Sequence, residues 1–131
     1  MSRLRIAAAA VLATATLLST STPAGAGLRI RVADRTCQTG YLCAWVFDNF
    51  AGSGVGFYNT EADWGVGSYN YINNNSWSWA NSGVNDVWIH DVPGNQDHRV
   101  EACLQSGGWY QLADRSHMKD KTSANLFTPN C

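Results

Sequence analysis

The chain has 131 residues, with nine basic and ten acidic side chains and a formal net charge of −1 at pH 7. This balance leaves no basic surplus for contacting a phosphate backbone or an anionic lipid surface. We therefore expect neither nucleic acid nor a membrane as a partner. The length suffices for one domain with a modest hydrophobic core.

The first 26 residues have the pattern of a secretory signal peptide. Arg3 and Arg5 precede an apolar, alanine-rich segment over residues 6–18, and Ala24-Gly25-Ala26 offers a small-residue cleavage site. The apolar segment is shorter than the ~20 residues that span a bilayer, so an uncleaved membrane anchor fits less well. We predict a secreted, extracellular protein whose mature part, residues 27–131, is a single domain. Seven basic and ten acidic residues remain there, a formal charge of −3.

Strand-like segments recur along the mature chain, separated by turn residues about every 8–12 positions. This spacing predicts a sandwich of short strands. The predicted strand segments are 28–32, 41–47, 57–58, 84–90, 99–104, 109–112 and 124–127. One turn of helix is expected at Thr60 to Asp63, which has the spacing of a capping box.

All four cysteines, Cys37, Cys43, Cys103 and Cys131, follow the predicted leader. An even number of cysteines in an oxidising compartment indicates two disulfides rather than a metal site. Three pairings are possible. We prefer Cys37–Cys43 with Cys103–Cys131, because the first two are close in sequence and the last is the final residue of the chain.

The segment after Cys43 carries a recognisable spacing of aromatic residues and glycine. Trp45, Phe50 and Gly52 resemble the signature of the βγ-crystallin Greek key, in which an aromatic ring packs over a folded hairpin whose glycine needs an unusual backbone angle. The two parts of the chain, about 37–83 and 84–131, echo each other in strands and turns. The resemblance implies an all-β, βγ-crystallin-like sandwich of two Greek-key motifs, stapled by disulfides.

The C-x5-C spacing ahead of this signature makes the chain resemble peptidase inhibitor family I36. The resemblance implies a small secreted protein that blocks thermolysin-type metallopeptidases with a rigid, substrate-like loop. We expect the protein to be a monomer. Such peptidases prefer a bulky apolar residue on the carboxyl side of the bond. Cys103 and Leu104 are then the candidate inhibitory residues, with Leu104 as the apolar one. The alternative, which we favour, is that Leu104 is a core strand residue.

No catalytic constellation emerges from the sequence. None of the three histidines lies in an HExxH motif, and no GxSxG motif occurs. His90-Asp91 and Asp97-His98 could converge on a metal, but two polar loop ends explain them as well. The carboxylates are scattered singly, which leaves no acid–base pair to name. We therefore predict that the protein is not an enzyme and needs no cofactor.

The resemblance suggests calcium as a candidate ligand. In each half a polar stretch corresponds to the ligand segment of crystallin-like motifs, and a hard cation wants six to eight oxygen ligands. The candidates are Asn73, Asn74 and Ser78 in the first half and Asp120 and Ser123 in the second. The alternative, which we favour, is that these side chains hold turns through local hydrogen bonds to the backbone.

The segment 64–79 is unusually rich in aromatic residues, namely Trp64, Tyr69, Tyr71, Trp77 and Trp79. These residues either form an exposed strip, which would suit binding or stacking on sugar rings, or fill the core. Two further functions thus stay open beside inhibition. One is a binding module for calcium or for a glycan or cell-wall ligand, and the other is a crystallin-like killer toxin.

Overall fold

The computed structural model describes residues 28–91, 93, 100–111, 118 and 121–131; the predicted signal peptide and Asp120 lie outside these ranges. The strands in the described residues are β1 (Arg29–Val32), β2 (Leu42–Phe47), β3 (Ala51–Phe57), β4 (Ser78–Asn81), β5 (Asp86–His90), β6 (Val100–Leu104), β7 (Trp109–Gln111) and β8 (Ala124–Thr128). Two 3₁₀ turns lie at Asp48–Phe50 and Asn70–Ile72. Within the described part of the chain, no helix is long and apolar enough to cross a membrane.

The strands form two antiparallel sheets that exchange segments between the two halves of the chain. The first sheet has the order β1-β3-β2-β4-β7, and the second has the order β6-β5-β8. Strand β7 comes from the second half but pairs with β4, placing Tyr110 opposite Trp79. In return, Glu61 of the first half forms a bridge with Asn125 of β8. The prediction of an all-β sandwich is confirmed.

The main core lies between the two sheets and takes alternate residues of their strands. Leu42 and Ala44 of β2 face Ile89 and Leu104 of the second sheet within one buried cluster. The intervening residues of β2 face the opposite side, where Trp45 belongs to a second buried cluster. Strand β2 is therefore covered on both faces, which explains its unbroken apolar sequence.

The hairpin between β2 and β3 has the folded shape that the Greek-key signature predicts. Asn49 and Phe50 have φ of 58° and 59°, and Gly52 has φ of 82°. A Cβ atom at Gly52 would lie 2.5 Å from the Phe47 ring, so glycine is required there for space as well as for backbone angle. The rings of Trp45 and Phe50 meet edge to face with centroids 5.6 Å apart. The signature residues thus close the hairpin together.

The predicted helical turn at 60–63 is wrong, because tertiary contacts use its central residue. Glu61 exchanges backbone hydrogen bonds with Asn125. Its buried carboxylate accepts a hydrogen bond from the guanidinium of Arg29, at 3.1 Å. The same guanidinium donates to the carbonyls of Asp63 and Ser68, at 2.6 and 3.0 Å. Arg29 therefore holds the loop after Glu61, and the bridge to Asn125 keeps Glu61 in an extended conformation rather than in a helical turn.

Candidate functional site

Both disulfides have the pairing that the sequence favoured. Cys37 is bonded to Cys43 with Cα atoms 5.8 Å apart, and Cys103 is bonded to Cys131 with Cα atoms 5.9 Å apart. The second bond joins β6 to the last residue of the chain. It therefore fixes the C-terminus beside the turn that follows β6.

Two turns meet at this end of the molecule. We call them the paired loops: residues 82–85, between β4 and β5, and residues 105–108, between β6 and β7. The hydroxyl of Ser106 donates to the carbonyl oxygen of Gly83 at 2.5 Å, which joins one loop to the other. All four backbone N–H groups of the second loop donate to acceptors within the protein; these acceptors are the Tyr110 hydroxyl, an Asp86 carboxylate oxygen, and the carbonyls of Asn81 and Gln105.

Asn81, the last residue of β4, holds both loops. Its buried side-chain amide donates to the carbonyl oxygens of Asn85 and Leu104, each at 2.9 Å, and its Oδ1 accepts from the N–H of Gly83 at 3.0 Å. Its backbone N–H donates to Gly108 O, and its backbone carbonyl accepts from Gly107 N–H, at 2.9 and 2.7 Å. One buried residue thus fixes the geometry of two exposed turns. Sequence analysis missed it, because nothing local distinguishes this asparagine from a surface residue.

Asp86 fixes the other side of the second loop. One carboxylate oxygen accepts from the Ser106 N–H at 2.9 Å, and the other accepts from the Cys131 N–H at 3.0 Å. The bond from Ser106 and then that from Cys131 favour the charged form, and they lower the pKa of Asp86 below its usual 3.8. Asp86 also lies close to the sulfurs of Cys103 and Cys131. Because those two sulfurs are bonded to each other, the group is not a metal site.

The first loop carries an isolated apolar side chain. Val84 is 89% exposed, the largest exposed fraction among the large hydrophobic residues that the structure describes. It borders an open groove of about 590 Å³, whose lining also includes Gly40, Tyr58 and Phe127. Tyr58 is itself 51% exposed. This end of the molecule therefore combines a rigid backbone with accessible apolar surface, which is a combination typical of protein-binding sites.

Comparison with known proteins shows which family the chain is similar to. The model of peptidase inhibitor family I36 matches residues 31–94, a range that includes the Greek-key hairpin, β4, the first of the paired loops and β5. The chain is similar to peptidase inhibitor family I36. The resemblance inferred from the sequence is thus confirmed.

A solved structure described as "Evolution of the eye lens beta-gamma-crystallin domain fold" is also similar. It aligns with a TM-score of 0.62 and 14% sequence identity, over 77% of this chain and 97% of that one. At this identity the likeness establishes the fold and no more. A search of curated proteins found no match. An inhibitor family favours a protein that binds a peptidase and performs no chemistry of its own, and neither the family match nor the fold indicates a cofactor.

Leu104 is not presented to solvent, which agrees with the alternative that it is a core strand residue. Leu104 lies at the end of β6, opposite Val87, and its side chain is fully buried in the core between the sheets. The alternation of the strand gives the reason: Cys103 points outward to its disulfide partner, so its neighbour points inward. A peptidase cannot reach the Leu104 side chain without opening the core.

The candidate calcium residues are only partly brought together. Asn74 and Ser123 come from the two halves and meet through a hydrogen bond of 2.8 Å. The hydroxyl of Ser78 is occupied elsewhere, because it donates to Phe47 O and accepts from Phe50 N–H. Asn73 Oδ1 is the one buried acceptor of the set without a hydrogen bond. With one such oxygen among the described candidates, the residues fit a turn-holding role better than the six to eight ligands of calcium. Calcium binding stays an untested prediction.

The aromatic segment is divided between interior and surface: Trp64 and Trp79 are buried, Tyr69 and Trp77 are partly buried, and Tyr71 is exposed. Trp64 and Trp79 are fully buried, and their indole N–H groups donate to Asn125 Oδ1 and Ser76 Oγ at 2.8 and 2.7 Å. Outside this segment, Trp109 in β7 is also exposed, at 43%. Its ring stacks on that of Trp45 with centroids 5.9 Å apart.

Proposed function

We propose that this protein is a secreted, monomeric inhibitor of thermolysin-type metallopeptidases that acts through a rigid, substrate-like loop. The observation that carries the proposal is the match to peptidase inhibitor family I36 over residues 31–94. The restriction to thermolysin-type metallopeptidases follows the resemblance noted in the sequence. The partner is then an extracellular peptidase, and the two disulfides fit an oxidising compartment of that kind.

The paired loops supply the physical requirement for such inhibition. A flexible substrate loses conformational entropy when it enters an active-site cleft, whereas a pre-ordered loop has already lost it on folding. Asn81, Asp86 and the Cys103–Cys131 bond hold the two loops in one arrangement before any partner arrives. Rigidity also favours inhibition over proteolysis, because a loop held at both ends cannot adopt the extended path that cleavage needs.

A titration of a thermolysin-type metallopeptidase with the purified, oxidised protein tests the proposal. Hydrolysis of a peptide substrate is followed while the protein is added at a series of molar ratios. We expect activity to fall to zero near one equivalent, whereas a subtilisin-type serine peptidase should keep its activity. Protein with reduced disulfides is the matched control and should inhibit weakly, since its C-terminus is no longer tied to β6. Unchanged metallopeptidase activity at a large excess of oxidised protein would refute the proposal.

A glycan-binding module is a second candidate, favoured by Trp109. The exposed ring of Trp109 is supported from behind by Trp45 and contacted edge-on by Phe50, with centroids 4.9 Å apart in the second contact. A rigid, half-exposed indole of this kind suits stacking on a sugar face. Pull-down on insoluble cell-wall polysaccharide, with Trp109→Ala as the comparison, tests this function. Equal retention of both proteins, or of neither, argues against it.

A further inference from the structure

The family resemblance assigns the peptidase-facing apolar residue to position 104, but the fold places that side chain in the core. The loop that follows it reads Gln-Ser-Gly-Gly and has no bulky apolar side chain to offer. A thermolysin-type peptidase selects such a side chain on the carboxyl side of the bond. The apolar residue that enters its pocket must therefore come from another part of the surface.

Val84 meets the requirement for accessibility. It lies in the first of the paired loops, within the segment matched by the inhibitor family, and it is 89% exposed. An exposed valine in an otherwise polar turn, Ser-Gly-Val-Asn, gains free energy when an apolar pocket covers it. The neighbouring turn 105–108 lies against the same loop through the bond from Ser106 to Gly83 and supports it from one side.

The residues on either side of Val84 are both held by Asn81. Its Oδ1 accepts from Gly83 N–H, and its Nδ2 donates to Asn85 O, so a single amide spans the loop beneath the valine. Ser82 is fixed as well, because its N–H donates to Tyr41 O and its carbonyl accepts from the N–H of another turn, at 2.9 and 2.8 Å. The loop is thus pre-ordered on both flanks of its exposed side chain, which lowers the entropic cost of binding.

The peptide bond before Val84 is protected from attack. Gly83 is buried, and its carbonyl oxygen accepts the hydroxyl hydrogen of Ser106. A metallopeptidase hydrolyses a bond whose carbonyl oxygen approaches its metal ion. The valine can therefore occupy the side-chain pocket while the adjoining carbonyl stays out of reach, so the loop binds without being cut.

We propose that Val84 is the specificity-determining residue of this inhibitor. It fills the apolar pocket on the carboxyl side of the scissile position of a thermolysin-type metallopeptidase. Asn81 acts as the positioning residue that fixes the loop around it. This inference rests on the proposed function and adds the residue that contacts the enzyme.

Substitutions at Val84 test the inference without disturbing the fold, since its side chain is exposed. Relative to the unaltered protein, we expect Val84→Ala to raise the inhibition constant about 10- to 20-fold through loss of two buried methyl groups. Val84→Asp should raise it at least ~100-fold, because an apolar pocket rejects a charge. Val84→Leu should stay within about threefold of the unaltered protein, because it keeps an apolar side chain. The matched control is Val66→Ala, at a valine that is 47% exposed on a different loop, and it should change nothing.

Urea midpoints measured in parallel should coincide for all these variants. If Val84→Asp inhibits as well as the unaltered protein, the inference is overturned while the proposed function stands. If the unaltered protein itself fails to inhibit, the proposed function fails and the inference fails with it.

The positioning role of Asn81 has a readout of its own. Mass spectrometry after incubation with the peptidase should find the Gly83–Val84 bond intact in the unaltered protein. In Asn81→Ala, under conditions where the variant remains folded, we expect cleavage at that bond before any other, because the loop is released there. Cleavage first at another bond, or no cleavage, would show that Asn81 does not position this loop for the enzyme.

Discussion

Replacing Asn81 by alanine should destabilise the protein more than any other polar substitution near the paired loops. The change removes three side-chain hydrogen bonds, to Asn85 O, Leu104 O and Gly83 N–H. Each such bond contributes about 0.5–1.5 kcal/mol net, and a buried group left unpaired costs about 1–3 kcal/mol. Gly83 and Leu104 are both buried, so water cannot easily replace the lost partner. We expect the free energy of unfolding to fall by about 3 kcal/mol.

Urea unfolding of the oxidised protein, followed by tryptophan fluorescence, measures this loss. Asn85→Ala is the matched control, because it deletes the same kind of side chain from an exposed position of the same loop and leaves the backbone carbonyl in place. The control should lie within about 0.5 kcal/mol of the unaltered protein. A loss below about 1 kcal/mol for Asn81→Ala, or one equal to that of the control, would refute the idea that this residue holds the loops.

Three further predictions concern the hairpin, the C-terminus and the ion. Gly52→Ala should lower stability by about 1–3 kcal/mol in thermal unfolding, because φ is 82° and the added carbon meets the Phe47 ring; an unchanged melting temperature would contradict this. The lowered pKa of Asp86 means that its stabilising effect is complete above its usual value of 3.8 and is lost as the pH falls below that value towards the lowered one. The hydrogen-exchange protection factor of the Ser106 amide, which corrects for the pH dependence of intrinsic exchange, should therefore fall as the pH drops below 3.8, and Asp86→Asn should abolish this fall; an equal fall in both proteins would exclude the carboxylate as its cause. Calorimetry should detect no heat with millimolar calcium, whereas a saturable signal lost in Asn74→Ala would establish a site.

Much of the fold could be predicted from short-range patterns. The Greek-key hairpin depends on Trp45, Phe50 and Gly52, which lie within eight residues of one another, and each has the role that its chemistry requires. The pairing of Cys37 with Cys43 depends on an equally short separation. Where the physical cause is local, the sequence carries enough information to state the structure.

The failures have causes that are distant in sequence. Thr60 and Asp63 satisfied a local capping pattern, but Glu61 between them forms a buried ion pair with Arg29, 32 residues away, and lies in a β-bridge instead of a helical turn. For Leu104 the sequence left two alternatives, and strand alternation in the assembled sheet turns the side chain inward, as the favoured alternative of a core strand residue requires. No sequence pattern identified Asn81 as a structural residue. Its side chain donates a hydrogen bond to the Leu104 carbonyl, 23 residues away, and the turns that it holds belong to two separate strand connections. Such residues become visible only once the strands are paired.

The composition of the aromatic segment did not determine whether its side chains are exposed or buried. Both alternatives, an exposed strip and a filled core, are compatible with five aromatic residues in sixteen positions. In the structure Tyr71 is exposed, whereas Trp64 and Trp79 lie in the core, where buried acceptors receive the hydrogen bonds of their N–H groups. A buried indole needs such a partner, and both acceptors come from polar side chains that sequence alone does not place.

The most direct test of the account is the inhibition constant of the oxidised protein against a thermolysin-type metallopeptidase, measured side by side with that of Val84→Asp. The account predicts that the unaltered protein abolishes activity near one equivalent and that the variant, with the same urea midpoint, is at least ~100-fold weaker. Full peptidase activity in a large molar excess of the unaltered protein would contradict the account at its centre.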